Sequence, residues 1–89
     1  SQPHDALMLD FSSVPLIDVS TSMSIEDMIV DAQDAKRNVY LVGMNEVVVN
    51  VLERMLILDR VPEECRFSER EPALEYAYQR ILLELDNVT

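Results

Sequence analysis

The chain has one glycine, Gly43, in 89 residues. A single glycine cannot write G-x-G-x-x-G or G-x-x-x-x-G-K-[ST], so every glycine-rich phosphate loop is excluded. One cysteine, Cys65, leaves no partner for an internal disulfide, which suits a reducing compartment. The lone histidine, His4, stands in a polar N-terminal stretch. A metal site needs several converging ligands, so no metal is expected, and no cofactor. Cations are scarce: 7 Lys and Arg face 17 Asp and Glu, for a net charge of −10 and a pI near 4.2. Nucleic-acid affinity comes from neutralising phosphates with Lys and Arg, so no nucleic-acid partner is expected. Docking on an anionic membrane surface is disfavoured for the same reason. The longest apolar runs are a few residues, too short for a transmembrane helix or a signal-peptide core.

What is present suffices for one small domain. Hydrophobic residues make up 48% of the chain, enough for a core and against global disorder. Ser1–Asp5 reads as a linker. Leu7–Phe11 reads as a buried strand, stopped by Ser12-Ser13-Val14-Pro15, because Pro15 cannot donate to a ladder. After Leu16-Ile17-Asp18 a helix is predicted, with Ile25, Met28, Ile29, Ala32 and Ala35 on one stripe. Ser20, Thr21 and Ser22 are its candidate N-caps, and Lys36-Arg37 closes it at the negative end of its dipole. Val39-Tyr40-Leu41-Val42 is the clearest strand, ended by Gly43. Asn45 caps a second helix with Val47, Val48, Val51, Leu52 and Met55 inward. Cys65-Arg66-Phe67 reads as a very short strand. Ser68 and Glu71 suggest a capping box for a last helix, whose stripe is Leu74, Ala77, Tyr78, Ile81, Leu82 and Leu85.

The order β-α-β-α-β-α implies an α/β fold: a parallel or mixed sheet with helices packed on it. Three strands make a small sheet, and the first begins almost at residue 1, so further N-terminal strands are expected upstream. Leu9, Val42, Ile29, Val48, Leu52 and Leu82 are the expected core.

Catalytic chemistry is hard to assemble from these residues. Cys65 has no histidine placed to activate it and reads as a packed side chain. Asp27, Asp31 and Asp34 share one side of the first helix, where they read as a solvated face and less readily as a cation or basic-partner site. With no nucleophile–base pair, the chain reads as a non-enzyme. The strongest local pattern is Ile17-Asp18-Val19-Ser20-Thr21-Ser22, in which a strand-like step meets an acid and then hydroxyls at a helix start. Unpaired N–H groups there favour an anion, or a phosphate esterified to Ser20; an ordinary helix cap gives the same pattern.

Leu7–Phe11, Val14-Pro15 and Ile17-Asp18-Val19-Ser20-Thr21 together resemble the signature of STAS domains. That signature is a strand of the L-x-L-D/N type, a V-P step, an I/M-D, and D-S-S-G or a relative. Tyr40-Leu41-Val42-Gly43, Asn45-Glu46-Val47 and Leu52-Glu53-Arg54 resemble the family's middle segment. Arg66-Phe67-Ser68 and Pro72-Ala73-Leu74-Glu75 resemble its closing strand and helix. The resemblance runs from Ala6 to about Ile81, carried by loosely specific positions. STAS domains occur in anti-sigma-factor antagonists and at the C-terminus of SulP-family anion transporters. Antagonists carry a phosphorylatable serine in D-S-S-G, and Ser20 takes its place here. Val19 replaces the preceding serine and Thr21 the glycine, which removes the small residue that lets a kinase approach.

The resemblance is strongest to bacterial SulP members of the bicarbonate or sulfate type. It implies a non-catalytic regulatory and assembly domain on the cytoplasmic side of the inner membrane, with residues 6–85 forming the later two-thirds of the domain and 86–89 a frayed tail. The implied partners are the transmembrane part of the same transporter, a second copy and a regulatory protein. Asp18, Ser20 and Thr21 would form the regulatory loop. The alternative is a soluble anti-sigma-factor antagonist switched by serine phosphorylation.

Overall fold

A computed structural model describes residues 6–88, with side chains as far as Asp86. The expected linker and His4 lie outside the described residues. The strands are β1 (Ala6–Asp10), β2 (Asn38–Val42) and β3 (Arg66–Phe67); the helices are α1 (Val19–Asp34), α2 (Glu46–Arg54) and α3 (Arg70–Val88). Short 3-10 turns at Leu58–Arg60 and Glu63–Cys65 connect α2 to β3. The strands lie in the order β1-β2-β3, and both pairings are parallel. The register sets Ala6 against Asn38 and Asp10 against Val42, then Leu41 against Arg66.

β2 is central and buried on both faces, as its unbroken apolar run requires: Val39, Tyr40, Leu41 and Val42 are all nearly inaccessible. β1 is an edge strand among the described residues, and Leu7, Met8 and Leu9 are only half-buried. Tyr40 meets Tyr76 of α3 edge-on, with ring centroids 5.9 Å apart. α3 therefore covers the face that Tyr40 shares, by strand alternation, with Val42. α1 presents Ser22, Ile25, Ile29 and Ala32 to the core, and α2 presents Val48 and Leu52.

The predicted stripes of α1 and α2 are thus found with small shifts: Met28 and Val47 lie at the margins and are exposed. The stripe predicted for α3 is rotated. Its buried positions are Ala73 and Ala77, flanked by half-buried Tyr76, Arg80 and Glu84, while Leu74, Tyr78, Leu82 and Leu85 face outward. Two alanines let the helix approach the sheet closely, and Tyr76 fills the gap against Tyr40 and Phe67. Leu82, expected in the core, is 38% exposed.

Helix ends also differ from expectation. α1 and α2 both close with a non-glycine residue in the left-handed region, Lys36 at φ 64° and Leu56 at φ 60°. At α1 the Arg37 N–H donates to the Ala32 carbonyl (2.9 Å) and Lys36 to Gln33 (3.0 Å). At α2 the Ile57 N–H donates to Leu52 (2.9 Å) and Leu56 to Glu53 (3.1 Å). Both are Schellman closures without the usual glycine. Lys36 and Arg37 therefore lie just beyond the helix they were expected to finish. α3 starts at Arg70, so Glu69 and not Ser68 directly precedes it, and Pro72 sits in the first turn, where no N–H is needed.

Candidate functional site

The loops after β1 and β2 and the N-termini of α1 and α2 meet at the carboxyl edge of the parallel sheet, where open α/β sheets place their sites. Asp10 ends β1 and accepts from both the hydroxyl (2.6 Å) and the N–H (2.9 Å) of Ser12. Those bonds, the hydroxyl first, hold its carboxyl below the ordinary value. The turn places Ser12 against Gly43 at the end of β2.

Asp18 is the N-cap of α1, in place of the serines and threonine that follow it. Its Oδ1 accepts from the Thr21 N–H at 2.7 Å, which lowers its pKa. An acid wins the cap because the carboxylate accepts more strongly than a hydroxyl and balances the positive helix end. Ser22 turns inward, fully buried, its hydroxyl donating to the Asp18 carbonyl at 2.8 Å. Ser20 and Thr21 lie in the first turn with exposed side chains. The three predicted site residues are therefore one turn of chain: Asp18 is the structural member, and Ser20 and Thr21 are accessible.

Sequence reasoning missed the tether from α2. Asn45 caps that helix through Oδ1, which accepts from the Val48 N–H at 2.9 Å. Its Nδ2 reaches back to the carbonyls of Val14 (3.3 Å) and Pro15 (3.0 Å), fixing the loop that leads into Asp18. Only the cap was legible in the sequence, since nothing local links Asn45 to residues thirty positions earlier. Around this loop Leu16, Val19, Met23 and Val47 are 51–68% exposed, an apolar rim beside Asp18 and Ser20. Exposed aliphatic side chains next to accessible hydroxyls suit contact with another polypeptide.

The other candidates carry no chemistry of this kind. Cys65 is buried, and burial first, then the charge of Glu64, pushes its thiol pKa up, away from a nucleophile. Asp27, Asp31 and Asp34 are exposed on α1. Among the described residues no three His, Cys, Asp or Glu side chains converge as metal ligands, and no helix is long and apolar enough to cross a membrane.

A small parallel sheet covered by helices, with a capped, exposed loop at its carboxyl edge, defines an α/β domain. The STAS domain family model matches residues 1–74, and the chain belongs to that family. The chain is 37% identical over 86 residues to the bicarbonate transporter BicA of Picosynechococcus sp., an alignment covering 96% of this chain and 15% of that protein. It is 33% identical over 72 residues to BicA of Synechocystis sp., covering 81% of this chain and 13% of the relative. The chain thus spans about a seventh of the length of these relatives. Its fold is shared with a sulfate transporter family protein from Wolinella succinogenes, at a TM-score of 0.80 and 21% identity, covering 86% of this chain and 63% of the other. The expected likeness to the bicarbonate and sulfate group of STAS domains is therefore found.

Proposed function

We propose that this chain is the regulatory and assembly domain of a SulP-type membrane anion transporter, of the bicarbonate or sulfate kind, lying on the cytoplasmic side of the membrane. The observation that carries the reading is the alignment of nearly the whole chain with about a seventh of a bicarbonate transporter. The remaining length of such a polypeptide would hold the membrane-spanning part, which is the partner of this domain and the carrier of the substrate. The domain itself performs no catalysis. Strands from the preceding residues would pair with the outer edge of β1, which is open among the described residues. The coding sequence upstream tests this. About ten or more apolar segments of ~20 residues ahead of Ser1 are expected. A start codon a few tens of residues upstream would overturn the reading and favour the soluble antagonist.

Assembly is assigned to the outer stripe of α3. Leu74, Tyr78, Leu82 and Leu85 recur at helical spacing and are 38–58% exposed, so α3 is apolar on two sides. A second copy of the domain is the proposed occupant, through a helix-to-helix contact between identical faces. Sedimentation of the purified chain should show a dimer that a Tyr78→Glu, Leu82→Glu double variant dissociates. A monomeric wild-type chain would overturn this assignment and leave the transporter reading standing.

Regulation is assigned to Asp18, Ser20 and Thr21. Supporting it are the exposure of Ser20 and Thr21, the apolar rim around them and the Asp18 cap that fixes their backbone. A regulatory protein would contact this loop.

A further inference from the structure

At the opposite, amino edge of the sheet lies a cavity of about 480 Å³, lined in part by Lys36, Arg37, Val39, Glu64, Cys65 and Arg80. It gathers three of the chain's 7 cations in a protein of net charge −10. Two other arginines are already engaged: Arg60 pairs with Glu26 at 3.0 Å, and the Arg66 guanidinium donates to the carbonyls of Leu58 and Val61. Among the described residues, none of Lys36, Arg37 and Arg80 has a carboxylate within 4.0 Å. The Arg37 Nε is buried there without a hydrogen-bond partner.

An ordinary reason for Lys36 and Arg37 exists, since cations suit a helix C-terminus. It does not use them up. The carbonyls of Asp31, Ala32 and Gln33 in the last turn of α1 already accept from the backbone N–H groups of Ala35, Lys36 and Arg37. Nor does it account for Arg80, which arrives from α3, half-buried, with Nη1 3.3 Å from the Tyr76 hydroxyl and its guanidinium 5.9 Å from the Tyr76 ring centroid. The nearby carboxylate of Glu84 is turned to Asn38 at 2.9 Å.

We infer that this cavity binds a small organic phosphate monoester. Three cations against Glu64 and the neighbouring Glu84, whose Oε2 is buried without a partner, leave an excess of one positive charge. A phosphate monoester carries about −1.5 to −2 charges at neutral pH and presents the oxygens that guanidinium groups chelate. The buried side of the cavity is formed by Val39 and Cys65 with Pro62 beside them, a wall for an apolar body. The volume lies within the range of small-molecule sites and exceeds the needs of inorganic phosphate alone. The inference is independent of the transporter reading, because it concerns only what this edge of the domain can hold.

The test is a titration of the isotopically labelled chain with phenyl phosphate, followed by amide NMR shifts, with inorganic phosphate and phenol as comparison probes. Phenyl phosphate should saturate and shift the amides of Lys36 to Val39 and of Cys65. Inorganic phosphate should bind several-fold more weakly and phenol not at all. Arg37→Gln and Lys36→Gln should each weaken phenyl phosphate at least tenfold, while Arg54→Gln, on the exposed face of α2, leaves it unchanged. Lys36 is exposed, so its variant carries the test if Arg37→Gln perturbs folding. Unsaturable shifts spread over the surface, equal loss in Arg54→Gln, or full affinity in Lys36→Gln would each overturn the inference.

Discussion

Ser12 occupies the space that a side chain on Gly43 would need. A Cβ on Gly43 would sit 3.0 Å from the Ser12 nitrogen and 3.1 Å from its Cα, and it would collide with the Ser12 hydroxyl. Gly43 is also at φ +71°, a region L side chains avoid. The chain's single glycine therefore stands where the ends of β1 and β2 converge on the loop side. Gly43→Ala should destabilise the domain by about 2–4 kcal/mol, combining left-handed strain with overpacking. Ser12→Ala removes the hydroxyl but not the backbone contact, so it should rescue only part of the loss in denaturant melts.

The two Schellman closures invite the opposite substitution. Leu56 is 69% exposed at φ 60°, where its side chain contributes strain and little burial. Leu56→Gly should stabilise the domain by about 0.5–1 kcal/mol, the left-handed penalty less the added freedom of glycine in the unfolded chain. A matched Leu56→Ala, which keeps the strain, should not stabilise. Urea midpoints of the two variants check this.

Core and surface apolar residues should separate cleanly. Ile29 and Leu52 are fully buried, so truncation to Ala should cost about 2–5 kcal/mol each. Leu83 is 59% exposed on α3, and its truncation should stay within about 0.5 kcal/mol. Equal losses at all three sites would contradict the observed orientation of α3.

Acid should weaken the loop edge. Asp10 and Asp18 both titrate below their ordinary value of 3.8, because their charged forms accept hydrogen bonds from Ser12 and Thr21. Their stabilising contribution is complete above the unfolded value and is lost as pH falls through the lower folded values. Melting temperature should therefore drop on acidification below about pH 4, by the same linkage. Asp18→Asn keeps an acceptor for the Thr21 N–H but cannot titrate, so its melting curve should depend less steeply on pH in that window.

Ser20 offers a test of the regulatory role proposed for its loop. Its side chain is exposed in the first turn of α1 and makes no structural bond among the described residues. Ser20→Asp should leave the melting temperature within a few degrees while, under the proposed function, altering transport regulation in a full-length transporter that carries this domain. A large drop in melting temperature with regulation unchanged would make the loop purely structural.

Much of this was legible in the residue pattern because the signals are local. The β-branched and aromatic run of β2 announced a strand, and the α1 and α2 stripes announced one inward face each, whereas the run of β1, expected to be buried, is a half-buried edge among the described residues. Asp18-Val19-Ser20-Thr21 marked the helix start, although the carboxylate took the cap that hydroxyl residues were expected to supply. α3 misled because it carries two apolar stripes. Periodicity reports that a face is apolar and cannot say which of two such faces meets the sheet.

The sequence by itself determined the α/β order, a sheet that is parallel or mixed, the family signature and the strongly acidic balance, since each rests on near neighbours or on composition. Tertiary structure alone decided that Ala73, Tyr76 and Ala77 face inward, that Asn45 ties down the Val14-Pro15 loop, and that Lys36, Arg37 and Arg80 share one cavity. Those relationships join residues from thirty to more than forty positions apart. They arise from how helices settle on a sheet, where the depth of packing selects small side chains over large ones, and no pattern along the chain records that choice.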